Sequence, residues 1–357
     1  MIILIYRRFS YFRLWGVHLV DAYINDLVRE KEIPGAVLIV QQQHRRILTR
    51  SYGAYTAVGG SKQLILNHTL FDLASLTKVV ATLPAILLLM SRHQMNVKDP
   101  VQTYLPDFKY PNITIQHLLQ HSSGLPADLV PVVKRYHKRD IMQEIFTSEV
   151  VYQPDERVLY SDLGMILLGK VIEKISGMSL SNFVDQEILK PWEMNRTGFQ
   201  LPEHKRGLAA STEMVNGKFI QGIVHDEKSL LLEGIAGSAG LFSCAEDLAR
   251  YAKIWLGMTQ QEVLPYEWLK LAHTKTFRNR GLGFEVWNED YSSSCFARRW
   301  NKGSFGHTGF TGTSIWMDPI QKAFVIFLTN AVHYGRNTNM RGIREKLHTL
   351  IYEKLLI

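Results

Sequence analysis

Ser75-Leu76-Thr77-Lys78 places a hydroxyl and an amine three residues apart at the head of an apolar run. Val79, Val80, Leu83, Leu87 and Met90 follow at helical spacing, which predicts one helix over about residues 75–91. Residues i and i+3 share a helix face, so the Lys78 amine can reach the Ser75 oxygen. In a first turn, unpaired backbone N–H groups and the positive end of the dipole favour developing negative charge. A serine in such a place can act as a nucleophile with a built-in base. Ser-x-x-Lys is also an ordinary polar turn at a helix start. Here it occurs once in the chain, and the apolar helix it opens must bury the lysine.

Two more blocks follow in order. Val158-Leu159-Tyr160-Ser161-Asp162 stands between the turn Gln153-Pro154-Asp155-Glu156 and a helix over residues 163–176. Gly306-His307-Thr308-Gly309-Phe310-Thr311-Gly312 precedes a strand over residues 313–317. Ser-x-x-Lys, Ser-Asp-Asn and Lys-Thr-Gly form the signature of serine β-lactamases and penicillin-binding proteins. The chain has Ser-Leu-Thr-Lys, Tyr-Ser-Asp and His-Thr-Gly, the second resembling the Tyr-x-Asn of the class C branch. Two decoys fail on context: Tyr23-Ile24-Asn25 precedes Ser75 within an amphipathic helix, and no strand pattern follows Arg196-Thr197-Gly198.

Residues 71–74, 113–125 and 163–169 also resemble this family, so the likeness covers roughly residues 30–350. Val224-His225-Asp226-Glu227, Gly237-Ser238-Ala239-Gly240-Leu241-Phe242 and Leu328-Thr329-Asn330-Ala331-Val332-His333 are similar to a narrower subgroup. It holds the penicillin-binding protein 4B type, a D-alanyl-D-alanine carboxypeptidase class, and muramyl-alanine amidases. The resemblance implies a serine hydrolase working through an acyl-enzyme without a cofactor. Ser75 would attack, Lys78 and Tyr160 would share the proton transfers, and the N–H groups of Ser75 and Phe310 would form the oxyanion hole. Asp162, His307, Thr308 and Gly309 would face the substrate.

Two departures bear on substrate. Asp162 stands where the family more often has asparagine. It either caps the next helix or adds a negative charge that keeps Lys78 protonated. His307 replaces the third motif's lysine, exchanging a permanent charge for one that titrates near pH ~6.5. That weakens binding of a carboxylate unless Arg336, beyond the last strand, supplies the charge. An efficient β-lactamase is therefore the least expected activity, behind a peptidoglycan D-alanyl-D-alanine end, a muramyl-L-alanine amide or a simple ester. Rival readings are a nucleophile at Ser238, within Ala236-Gly237-Ser238-Ala239-Gly240, and a penicillin-recognising sensor that acylates without turnover. His117 and His121 share a helix face but lack the Glu of His-Glu-x-x-His, so they read as structural and no metal is expected. Only the subgroup resemblance places His225-Asp226-Glu227 near the cleft.

The elements that must position these groups are legible in outline. Val20, Ile24, Leu27 and Val28 mark an amphipathic first helix, and residues 35–41 and 47–52 read as strands. Helices dominate from 75 to about 200, with starts at Thr114 and Ser179 and a stop at Gly177. Residues 283–287, 313–317 and 323–329 read as strands, and 338–356 as a closing helix. The expected fold is α+β: an antiparallel sheet flanked by helices from residues 1–74 and 201–357, an inserted helical domain at 75–200, and the site in the cleft between.

With 357 residues, 46% of them hydrophobic, the chain can bury a large core. No run is read as a membrane span. Residues 1–6 and then Arg7-Arg8 have the wrong order for a secretory signal. The expected compartment is the cytoplasm as written, with the cell envelope open if the start is incomplete. Cys244 and Cys295 read as isolated packing residues. The net charge of +8 is spread along the chain without a nucleic-acid motif, so the expected partner is a small molecule or cell-wall peptide.

Overall fold

Residues 35–42 and 323–329 are β-branched and aromatic runs, buried almost without a break. A strand buried on both faces belongs in the middle of a sheet. In the computed structural model, which describes residues 2–288 and 299–356, these two strands pair at the sheet's centre, from Ala36 opposite Thr329 to Gln42 opposite Ala323. The strands are β1 (Gly35–Gln42), β2 (Arg45–Thr56), β3 (Lys62–Leu64), β4 (Glu285–Val286), β5 (Phe305–Thr308), β6 (Ser314–Asp318) and β7 (Ala323–Thr329). Among the described residues they lie in the order β3-β2-β1-β7-β6-β5-β4, antiparallel throughout.

Five helices matter to the site and its support: α1 (Ile2–Arg29), α2 (Leu83–Ser91), α3 (Asp162–Ser176), α4 (Ala245–Trp255) and α5 (Met340–Ile351). The period of two along β1 divides its side chains between two cores. Ala36, Leu38 and Val40 pack with Val20, Ile24 and Leu27 of α1 and Ile343, Leu347 and Ile351 of α5. Val37 and Ile39 face the other way, into the core that holds α2, α3 and α4. Between Ala74 and Leu189 the named elements are all helical.

The expected single helix over 75–91 is three pieces: a 3₁₀ turn (Ala74–Leu76), a π-helical turn (Lys78–Thr82) and then α2. Its distortion is fixed from outside. The Thr77 hydroxyl accepts the Leu241 N–H at 3.2 Å, and the Thr82 hydroxyl donates to the Gly237 carbonyl at 2.8 Å. A π-turn within a helix often marks a functional site. Contrary to the reading that no run resembles a membrane span, Ala74–Ser91 is long and apolar enough for one, but 89% of it is buried inside the protein. Its hydrophobicity serves the core.

Other departures are local. Phe305-Gly306-His307-Thr308 lacks a strand pattern yet forms β5, because Phe305 to Thr308 pair with Met317 to Ser314. A two-residue strand, Gly198–Phe199, does follow Arg196-Thr197, pairing with Leu241–Ser243, which also pairs with Phe71–Asp72. Cys244 is buried, and Cys295 lies outside the described residues.

Candidate active site

Positioning of the site starts at Asp72, a fully buried carboxylate. Its Oδ1 accepts the Ala74 N–H at 2.8 Å and its Oδ2 the His225 N–H at 2.7 Å. The first bond helps hold Ala74 at φ +46°, left-handed backbone that a non-glycine residue adopts reluctantly. Ser75 thus projects from a turn held by its neighbour's strain. The third motif is fastened to the same turn. Thr311 Oγ1 donates to the Asp72 carbonyl at 2.9 Å and Thr313 Oγ1 to the Leu73 carbonyl at 3.1 Å. Gly309 is required by this approach, since a Cβ there would lie 2.1 Å from Thr313 Oγ1 and 2.4 Å from the Leu73 oxygen.

Lys78 is completely buried, and its ammonium has two hydrogen-bond acceptors and one ion-pair partner. It donates to Ser75 Oγ at 2.8 Å and to the Ser238 carbonyl at 2.9 Å, and pairs with Asp162 Oδ1 at 2.8 Å. Burial alone would lower its pKa, but the Asp162 charge and Tyr160 outweigh burial and raise it. Lys78 is therefore a cation at rest. Asp162 does not cap α3. Ser161 is the N-cap residue, and the Asp162 carboxylate lies between Lys78 and Lys228, the latter 3.3 Å from Oδ2. Burial would raise its pKa, but Lys78 and Lys228 bring it below the ordinary carboxylate value.

Tyr160 sits over this pair, its ring centroid 5.1 Å from Lys78 Nζ and 5.4 Å from the Arg280 guanidinium carbon. His121 and His307 flank it, at centroid separations of 4.5 and 5.8 Å. His121 Nδ1 accepts the Ser161 N–H at 3.2 Å, so a neutral ring carries its proton on Nε2. His307 Nδ1 lies 2.8 Å from the Thr308 carbonyl, so there the proton is on Nδ1 and Nε2 is an acceptor. The expectation that His307 titrates near neutrality is corrected: burial first, then Lys78 and Arg280, hold its pKa well below 6.5.

Burial also lowers His121 well below its ordinary value, His273 to about 4 and His348 to about 3. An unfolded chain protonates these histidines near pH ~6.5. Below that pH the unfolded state binds more protons than the folded state, so stability must fall as pH drops. Urea midpoints at pH 7.5, 6.0 and 5.0 should decrease in that order with an unchanged m-value.

Further corrections lie at the rim. Arg336 is not a spare cation, for its guanidinium binds Glu213 at 2.7 Å and Glu227 at 2.6 Å. The Phe310 ring is 57% exposed and stacks on His225 with centroids 5.8 Å apart. His225 Nε2 lies 2.9 Å from Glu213, and Asp226 caps the short helix Glu227–Leu231, so the three-residue block does border the cleft. His117 completes a capping box with Thr114, and His121 lies past the end of that helix, Ile115–Leu119, at φ +54°, so the two do not share a helix face. Ser238 is buried, and it meets Lys78 through its carbonyl oxygen while its hydroxyl has no partner among the described residues.

The resulting cleft encloses about 630 Å³. A buried cation donates to a serine hydroxyl at its floor, beside a phenol and two neutral imidazoles. Residues 20–349 match the family described as Beta-lactamase. The chain belongs to that family.

It is similar to N-acetylmuramyl-L-alanine amidase of Bacillus subtilis (strain 168), at 32% identity over 84% of this chain and 78% of the relative. It is also similar to a putative D-alanyl-D-alanine carboxypeptidase of Escherichia coli (strain K12), at 28% identity over 90% and 84%. Among solved structures, EstCE1, a hydrolase with promiscuous acyltransferase activity, superposes with a TM-score of 0.77 at 20% identity, covering 94% of this chain and 99% of that one. The fold is β-lactamase/transpeptidase-like, and the protein is a serine hydrolase. Two charged residues of this Beta-lactamase family site escaped the sequence reading. Lys228 adjoins a block that was singled out, but the pairing that makes it matter is tertiary. Arg280 follows Phe277 and Asn279 in a turn with no recognisable pattern, and it reaches the cleft because that turn pairs with Glu285 at the start of β4.

Proposed function

We propose that the enzyme hydrolyses an amide bond in a soluble peptidoglycan fragment through an acyl-enzyme on Ser75. One observation carries the assignment: a fully buried Lys78 ammonium donates to Ser75 Oγ at 2.8 Å while paired to Asp162. Asp162 keeps Lys78 charged, so the lysine is not free to take the serine proton, and the Tyr160 phenol beside it is left as the acceptor. The N–H groups of Ser75 and Phe310 stabilise the oxyanion, each contributing about 2.7–4 kcal/mol by the usual measure. Tyr160 then returns its proton to the departing amine, and water releases the acyl group by the reverse steps.

The substrate class rests on the two named relatives and on a charge. Arg280 borders the cleft beside Tyr160, its guanidinium carbon 5.4 Å from that ring's centroid. It is placed to bind the carboxylate that the absent third-motif lysine would have held, and peptide stems carry such groups. A cleft of this size takes a muramyl residue with the start of its peptide.

The test incubates the protein with muramyl-L-alanyl peptides and with peptides ending in D-alanyl-D-alanine, and identifies the products by mass spectrometry. A cleaved sugar–peptide amide or a released D-alanine supports the reading and selects the bond. Turnover of simple esters alone, with both substrates intact, overturns it. Arg280→Gln should raise KM for the carboxylate substrate by roughly 10- to 100-fold, with a much smaller change in kcat.

A further inference from the structure

Asp162 stands where the family resemblance leads one to expect a neutral amide, against an amine that must take part in proton transfer. An ionised carboxylate there changes the electrostatics of the site unless a second cation answers it. Lys228 is that cation, 3.3 Å from Asp162 Oδ2 while Lys78 holds Oδ1 at 2.8 Å. We propose that Lys228 is a positioning residue that partly offsets the Asp162 charge from the side opposite Lys78, so that Lys78 and Tyr160 meet less than a full carboxylate charge. The proposal rests on the assignment of Ser75, Lys78 and Tyr160 given above.

The geometry is built for this. Lys228 is 5% exposed, which is unusual for a lysine without partners. Asp128 Oδ2 at 2.9 Å, from the loop before α3, and Asp226 Oδ2 at 3.4 Å, from its own helix cap, hold the ammonium in place. The other charged or titratable groups facing the pair are Tyr160 ahead of α3, His121 from the helical region, His307 on β5 and Arg280 before β4. Both histidines are held neutral, and the arginine is permanently charged. Lys228 answers Asp128 and Asp226 as well, so it lessens, without cancelling, the Asp162 charge that Lys78 and Tyr160 experience.

The sign follows whichever of those two accepts the serine proton. Removing Lys228 leaves the full Asp162 charge facing the proton-transfer pair, which opposes the negative charge that builds up as the serine proton is taken, and the acidic limb of the rate moves to higher pH. Asp162→Asn moves it to lower pH. Removing both charges brings it back toward the wild-type position.

The experiment measures the rate of fluorophosphonate labelling of the full chain from pH 5 to 10, with the adduct located by mass spectrometry. Lys228→Met should shift the acidic limb up by about one pH unit and slow labelling at pH 7 roughly tenfold. Lys228→Arg keeps the cation and should leave the limb in place. Lys228→Met combined with Asp162→Asn should return the limb toward wild type and recover most of the lost rate. Should Lys228→Met fail to fold, Asp162→Asn alone is compared with the double variant, whose limb should lie at higher pH. Superimposable limbs in either comparison, or a double variant slower than Lys228→Met, overturn the proposal while leaving the Ser75 assignment standing. A wild-type adduct on any residue other than Ser75 overturns both.

Discussion

Ser75→Ala is expected to lose on the order of 10⁴- to 10⁶-fold in kcat while remaining folded. Nucleophile deletions in serine hydrolases reach about this size, and the residue of activity comes from substrate binding and the oxyanion donors. The fold should tolerate the change because Lys78 keeps its ion pair with Asp162 and its hydrogen bond to the Ser238 carbonyl. A buried ammonium so held remains compensated, and stability should move by no more than about 1 kcal/mol. The check has two parts. Kinetics on whichever fragment the wild type cleaves should collapse, and a fluorophosphonate that marks Ser75 in the wild type should leave the variant unmodified. Retention of more than about one part in a hundred of the wild-type rate would contradict a 10²- to 10⁴-fold role for even a single proton-transfer group, and would remove Ser75 as the nucleophile.

That Ser75 is legible in sequence at all has a physical reason. The serine and lysine lie within one turn, so local spacing alone brings them together, and the surrounding apolar run reports burial. β1 and β7 were equally legible, because strands buried on both faces write their position as continuous runs. Legibility fails where distant contacts decide. The π-turn at Lys78–Thr82 depends on Gly237 and Leu241, which no local pattern announces. His307 looked titratable because its ordinary pKa is near neutrality, whereas burial beside Tyr160 and two cations removes that charge. Arg336 and Arg280 exchanged roles for the same cause: the first found Glu213 and Glu227, and the second was left facing the cleft. Lys228 and its partner Asp128 are 100 residues apart in sequence, so a single chain read from end to end carries no sign of the pair.

Lys78→Met separates the lysine's chemical role from its structural one. Methionine matches most of the lysine stem, so little cavity forms, and the loss is chiefly that of the cation. Without it Tyr160 loses its neighbouring cation, and Ser75 loses its hydrogen-bond donor. Labelling of Ser75 and substrate turnover should both fall about 10²- to 10⁴-fold, the range of a general acid–base group. Stability is the more discriminating readout. Removing one partner of a buried ion pair ordinarily costs about 3–5 kcal/mol, because the other charge is left alone. Here Asp162 retains Lys228 at 3.3 Å, so the stranded charge is shared and the expected loss is smaller, about 1–2 kcal/mol, including the donor forfeited by the Ser238 carbonyl. Equilibrium urea unfolding of the wild type and the variant measures the difference. A loss within the full 3–5 kcal/mol range would mean that Lys228 does not hold the Asp162 charge, and the balance proposed between these two residues would fail with it.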